Sequence, residues 1–319
     1  MEAIFIFTKD RPHILSQTLQ TLEKVPYLKF IVDDSIAPNT QKEVLGICEQ
    51  FQSYEYLGNG KFEEFCNNHK IIFPKFSFLL RNLGNKEWNL GYARNFALLY
   101  ARAKQFNKVL FIDDDIHVSE NNIIDDLFAN LNAYKFTGAN IEGLIDNSIL
   151  GHIADSVQVK EERMLSGGFM AFSPVKINQY FLNIYNEDWI WLFLQLQNDK
   201  YLQTGSVFQA LSNPFDNYSN KVIFQEIGEI ALDGILDLYK NGSYDSLIQL
   251  SFWERIIQER EGYLELLANK TRNTGNKKKI KIINWVKNNS GNFKAELFQK
   301  LFEDYFTNRI TFLKLYSSL

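Results

Sequence analysis

The sequence predicts an α/β domain on a mostly parallel sheet with helices on both faces, followed by a helical C-terminal region. Three observations carry this. From Ala3 to Asp115, short apolar runs alternate with stretches whose apolar residues recur at helical spacing. The runs end in polar or acidic residues, and beyond Asn220 the periodicity is helical throughout.

The first run, Ala3 to Thr8, leads into Pro12, a residue suited to a first helical turn, ahead of Leu15, Leu19 and Leu22. The second, Leu28 to Val32, ends in Asp33-Asp34, and Val44, Leu45, Cys48 and Phe51 mark the helix after it. Beyond a polar stretch over 53–70, Phe76 to Leu80 predicts a third strand. Gly91 to Lys104 predicts a helix and Val109 to Ile112 a fourth strand. Such alternation requires crossover connections and hence parallel neighbours, which places ligands at the strands' carboxyl ends. From 130 to 215 the pattern loosens, with a Gly-rich apolar segment from Leu165 to Ser173 and a helix opening at Asn186-Glu187-Asp188. Residues 1–219 are therefore expected as the α/β domain and 220–319 as the helical region. Between helices in that region, Asn269 to Lys281 reads as a basic loop.

With 319 residues, 45% of them hydrophobic and 23% charged, the chain has enough apolar side chains to fold and room for more than one core. A net charge of -4 gives no global reason to bind nucleic acid, so an anionic ligand must be held locally. Cys48 and Cys66 fall short of a disulfide framework. The N-terminus reaches Lys9-Asp10-Arg11 too early for a signal peptide, and no apolar run has the length of a membrane span. The expected setting is a reducing cytoplasm, at most peripheral to a membrane.

The strongest chemical signal is Asp113-Asp114-Asp115, directly after the fourth strand. Three adjacent carboxylates repel one another unless something positive sits among them, and a divalent cation is the simplest answer. Alternation along the chain puts Asp113 and Asp115 on one side. Three further strand ends carry polar residues: Thr8 to Pro12, Asp33-Asp34-Ser35, and Asn89 to Asn95.

Taken in order, these residues resemble inverting glycosyltransferase family 2. Its members show a first strand with Thr and a polar turn, then Asp-Asp, Gly-x-x-x-Arg-Asn, Asp-x-Asp and Glu-Asp. This chain keeps the order over roughly residues 1–215, with one residue fewer between Gly91 and Arg94. The resemblance implies a GT-A (nucleotide-diphospho-sugar transferase) domain, Rossmann-like, that uses Mn²⁺ or Mg²⁺. It assigns Thr8, Arg11, Asp33 or Asp34, Gly91 and Arg94 to the nucleotide, with a UDP-sugar as the expected donor. It places Asp113 at the ribose and Asp115 on the metal, Asp113 being a second candidate ligand, with Asp114 the variable middle. Gly167 and Gly168 would leave room for a sugar ring, and Asp188 would be the catalytic base, with Glu187 and Trp189 on the acceptor side.

For bacterial proteins of this kind the implied acceptors are glycans, lipid-linked sugars, glycosylated proteins or small metabolites. The C-terminal helices and Lys270 to Lys281 would dock an acceptor carrier, a partner subunit such as a second copy of the chain, or an anionic membrane surface. His13, His69, His117 and His152 have no helical metal spacing, and no His follows His152 to serve as a late metal ligand. Trp88, Tyr92, Phe169, Trp189 and Trp191 are candidates for stacking on a sugar or for the core. Two other classes compete. A haloacid-dehalogenase-like phosphatase also follows a strand with Asp-x-Asp, but it leaves Glu187-Asp188 without a role. A non-catalytic scaffold of the same fold would bind nucleotide or metal without turnover.

Overall fold

The protein, here a computed structural model, is described for residues 1–51, 54–72, 75–79, 90–120, 122–143, 148–159, 164–196, 199–210, 215 and 218–319. The first half runs β1 (Glu2–Thr8), α1 (Pro12–Leu22), β2 (Leu28–Asp33), α2 (Pro38–Gln50), β3 (Tyr54–Leu57), α3 (Asn59–Asn68), α4 (Leu90–Ala103) and β4 (Lys108–Asp113). Pro12 and Pro38 both sit in first helical turns, where a missing N–H costs nothing.

The third strand lies earlier than the sequence reading placed it. It is Tyr54–Leu57, pairing in parallel with β2, whereas 75–79 form turns and Leu80 lies outside the described residues. Tyr54–Leu57 is short and alternates partly exposed with exposed positions before Leu57. An edge strand need not be apolar on both faces, so its signal is faint.

The remaining α/β part runs β5 (Ile116–His117), α5 (Asn122–Asn130), β6 (Phe136–Gly143), α6 (Ile149–Ser156), β7 (Phe169–Phe172), α7 (Glu187–Leu196) and β8 (Tyr201–Gln209). The eight strands form one sheet in the order β3-β2-β1-β4-β7-β6-β8-β5. From β3 to β4 all neighbours are parallel; β7 then runs antiparallel to both β4 and β6. The central strands are buried on both faces by period-2 alternation. Phe5, Phe30 and Phe111 face one core with Phe96 of α4, and Ile4, Ile6, Ile31 and Ile112 face the other with Leu15 and Leu19 of α1.

The C-terminal part is helical as expected: α8 (Tyr218–Asn241), α9 (Leu250–Arg272), α10 (Lys277–Asn288) and α11 (Ala295–Ser318). The basic segment expected as a loop is mostly the end of α9 and the start of α10. These helices share the core of the α/β part. Tyr316 of α11 donates its hydroxyl to the Pro174 carbonyl at 2.6 Å, and Arg309 Nε donates to the Asn178 carbonyl at 2.9 Å. Position 219/220 falls in the first turn of α8. Between α8 and α9, buried Arg260 grips Glu226 through Nε at 2.7 Å and Nη2 at 3.0 Å, a bidentate clamp.

Candidate active site

The carboxyl ends of β1, β2 and β4 stop in register, with Thr8 opposite Asp33 and Phe7 opposite Asp113. The Asp34 amide donates to the Thr8 carbonyl at 2.9 Å and the Asp114 amide to the Phe7 carbonyl at 3.0 Å, extending the ladders one residue into the rim. Because β7 is antiparallel to β4, its start meets the end of β4, and the Asp113 amide donates to the Gly168 carbonyl at 3.0 Å. A cavity of about 630 Å³ opens over this rim, a size typical of small-molecule sites. Thr8, Arg11, Asp34, Gly91, Arg94, Asp113, Asp115, Glu187, Asp188 and Trp189 all line it.

The Asp triplet divides as strand alternation requires. Asp113 and Asp115 line the cavity, while Asp114 points beneath and is fully buried. The Thr8 hydroxyl donates to Asp114 Oδ2 at 2.6 Å, the Arg11 guanidinium pairs with Asp114 Oδ1, and the Thr18 hydroxyl holds the Asp114 carbonyl at 2.6 Å. Burial pushes the Asp114 carboxyl up to about 7, against the pull of Arg11 and Thr8. Asp114 is thus a buried anchor for Arg11 and Thr8. Arg11 Nη1 also donates to Asp115 Oδ2 at 3.1 Å, and burial, with Asp113 nearby, raises the Asp115 carboxyl. The positive charge among the aspartates is supplied by arginine side chains.

The second such side chain is Arg94, on the first turns of α4 and 2% exposed. Its Nη1 donates to Glu187 Oε1 at 2.6 Å and its Nη2 to Asp113 Oδ1 at 3.2 Å, with Asp188 Oδ2 4.0 Å from Nη1. Burial by itself would lower its pKa, but Glu187, Asp113 and Asp188 outweigh that and hold it above its ordinary value. Burial raises the Glu187 carboxyl, with Arg94 opposing. Asp188 accepts from the Gly167 amide at 2.6 Å on Oδ2 and from the Trp189 amide at 2.8 Å on Oδ1. Asn186, just before this helix, has φ 61°, a left-handed value that Asn tolerates better than most residues. That turn aims Glu187 and Asp188 at Arg94.

Several expected roles shift with this geometry. Asp33 does not line the cavity: Oδ1 accepts the Ser35 amide at 2.9 Å and Oδ2 the Tyr56 hydroxyl at 2.7 Å, so Asp34 is the member of that pair that faces it. Arg94, expected at the nucleotide, lines the cavity with its guanidinium paired to Glu187 and Asp113. Gly91 lines the cavity, yet its missing side chain serves packing. A Cβ there would strike the Leu182 carbonyl and lie 3.1 Å from Asn183 Cα. The space beside Gly167 and Gly168 is filled by protein. A Cβ at Gly167 would lie 2.5 Å from Asp188 Cβ and 2.8 Å from Arg94 Nη1, and one at Gly168 would lie 3.0 Å from Asp113 Oδ2. Phe169 and Trp191 are core residues, Tyr92 is partly buried against that core, and Trp88 and Asn89 lie outside the described residues.

No family model and no curated protein matches the chain. Solved structures do. Glucosyl-3-phosphoglycerate synthase from Mycobacterium tuberculosis, in complex with Mn²⁺, UDP-glucose and phosphoglyceric acid, aligns over 77% of this chain and 82% of that one, with TM-score 0.50 and 10% identity. A mannosyltransferase from Pyrobaculum calidifontis, in complex with GDP-mannose and Mn²⁺, aligns over 89% and 84%, with TM-score 0.52 and 10% identity. The chain has the GT-A fold.

Within this GT-A sheet, the rim is the part the sequence reading located, and the opposite wall is the part it missed. Lys221, Phe224 and Gln225 of α8, with His152 of α6, line the same cavity. The signal for α8 was Gly228 in mid-helix: a Cβ there would collide with the Tyr185 carbonyl, so only glycine lets α8 lie against the segment that leads into α7. Among the described residues no cluster of three or more His, Cys, Asp or Glu side chains has metal-site geometry. The two carboxylates that would hold a cation are Asp113 and Asp115, both lining the cavity. Asp115 Oδ1 is buried and accepts no hydrogen bond, and Asp113 closes β4 two residues earlier. Hard cations complete such a pair with water and phosphate oxygens.

Proposed function

We propose that the chain is a glycosyltransferase that moves a sugar from a nucleoside-diphosphate sugar, with UDP as the nucleotide, to a hydroxyl acceptor with inversion at the anomeric carbon. One observation carries this reading: a single GT-A rim cavity holds Asp34, the Asp113 and Asp115 pair, and Asp188 within one hydrogen-bonded frame. The two aligned structures bind UDP-glucose or GDP-mannose with Mn²⁺, which supports the same ligand class here.

Each residue has a physical task. Asp34 offers a carboxylate to a base N–H. Asp113 is held by Arg94 within reach of a ribose, and Asp115 with Asp113 would hold Mn²⁺ or Mg²⁺, which offsets charge on the departing diphosphate. Asp188 accepts two backbone N–H groups, which fix both its oxygens in place. Each oxygen keeps a lone pair for the acceptor hydroxyl. As the acceptor oxygen bonds to the anomeric carbon, the bond to the diphosphate breaks and its electrons leave with the diphosphate. Asp188 takes the proton. Trp189 and the α8 wall would border the acceptor, a glycan, lipid-linked sugar or small hydroxyl compound.

Titration calorimetry with UDP, with Mn²⁺ and with chelator, tests the donor half. Binding that needs the cation supports the reading, and equal affinity in chelator removes the metal from it. Hydrolysis of a nucleotide-sugar panel separates an enzyme from a scaffold that binds without turnover.

A further inference from the structure

Arg11 holds two carboxylates of the Asp triplet with unequal consequence. Asp114 is buried and is also fixed by the Thr8 hydroxyl at 2.6 Å, so Arg11 meets it as a fixed partner with no exposed surface of its own. Asp115 is different. It is 13% exposed, its Oδ2 is held by Arg11 Nη1 at 3.1 Å, and its buried Oδ1 accepts no hydrogen bond. Arg11 itself has 42% of its side chain exposed, and both Arg11 and Asp115 line the cavity. A guanidinium on one oxygen of this carboxylate and a divalent cation on the other repel each other, so each raises the cost of bringing up the other.

Resting on the transferase reading above, we infer that Arg11 is the internal counter-ion of the cation site. It neutralises Asp115 in the unliganded chain, cedes Asp115 when the cation arrives with nucleotide, and turns its freed arm to the diphosphate while its other arm stays on Asp114. The consequence is thermodynamic. Free cation comes up against the Arg11 charge and binds weakly, whereas with nucleoside diphosphate present Arg11 turns toward a second anion and recovers the lost pairing. Cation and nucleotide therefore bind with positive coupling, and Arg11 is the residue that supplies it. A guanidinium fork suits this exchange, because its two Nη groups can serve a carboxylate and a phosphate at once.

The test is electron paramagnetic resonance of free Mn²⁺ titrated with the full chain, with and without UDP, on the wild type, Arg11→Gln and Arg11→Lys, each checked for its melting transition. Arg11→Gln should bind Mn²⁺ alone about tenfold more tightly than the wild type, and the gain in Mn²⁺ affinity on adding UDP should shrink by about tenfold. Arg11→Lys keeps a charge near Asp114 but loses the fork. It should fall between the two, and it gives the same reading should Arg11→Gln not fold. A folded variant that binds Mn²⁺ alone no more tightly than the wild type overturns the inference. If the wild type binds no Mn²⁺ even with UDP present, the cation half of the transferase reading fails with it; if only the variants' advantage is missing, that reading stands and the role of Arg11 does not.

Discussion

The amide of Gly167 donates a 2.6 Å hydrogen bond to Oδ2 of Asp188, tying the glycine pair before β7 to the acid that opens α7. A side chain at position 167 would stand where Asp188 now stands. The glycine therefore selects the position of the acid.

The first expectation concerns Asp188. Asp188→Asn keeps the shape and the Trp189 amide contact but cannot accept a proton, so turnover should fall ~10²–10⁴-fold. Calorimetry should find UDP affinity within a few-fold of the wild type. The anomeric configuration of the product, read by NMR, should be inverted relative to the donor. A fully active Asp188→Asn enzyme moves the base elsewhere, with Glu187 next.

Arg94 should be a stability residue as well as a site residue. Its guanidinium is buried against Glu187, Asp113 and Asp188, and removing one partner of a buried ion pair leaves the others uncompensated. Arg94→Met should lose about 3–5 kcal/mol in urea unfolding. A loss under about 1 kcal/mol would mean that the cluster is better solvated than its burial indicates.

Cys48 and Cys66 are free thiols and both buried. Burial, with Asp33 near Cys48 and Glu63 near Cys66, pushes each thiol up to about 12. At pH 8 only about one in 10⁴ of each would be thiolate, the form that attacks disulfide reagents. The folded protein should therefore react slowly with a disulfide reagent at pH 8, and two thiols should appear on unfolding in urea. Rapid reaction in the native state would place a thiol at the surface.

Lys277, Lys278 and Lys279 occupy the first turn of α10, where the helix dipole disfavours cations, and Trp285 on the same helix is 41% exposed. Lys277 shares a surface groove with Trp285, and Lys278 and Lys279 lie over the Phe215 ring. A basic first turn thus stands against the dipole on a helix with an exposed indole, a combination that fits an anionic surface. Sedimentation with phosphatidylserine vesicles at low salt should carry the chain down, and replacing all three lysines with Gln should weaken binding by roughly 1 kcal/mol per residue. No binding at any salt would leave α10 a solvated face. Among the described residues no helix is long and apolar enough to cross a membrane.

The sequence by itself determined the α/β class, the order of most elements and the rim. Apolar runs that end in Thr8, Asp33-Asp34 and Asp113 and alternate with helical stretches predict strands whose polar ends emerge together once the strands are parallel. It also divided the triplet, because alternation puts Asp113 and Asp115 on one face and Asp114 on the other. Tyr54–Leu57 escaped because an edge strand needs little apolar content, and the run from Phe76 misled because its described residues, through Leu79, pack as well in turns as in a strand. Only the tertiary structure decided who neutralises whom. Arg11 and Arg94 look alike in the sequence, but one joins Asp114 to Asp115, 103 and 104 residues away, and the other joins Asp113 to Glu187, 19 and 93 residues away. Such contacts have no local periodicity to announce them. The same holds for Gly167 and Gly168, whose vacancies are filled by side chains from α7, α4 and β4, and for α8, which reaches the cavity because Gly228 lets it lie against Tyr185. Local pattern fixes which residues reach a surface; the distance between surfaces, set by packing, fixes what they do there.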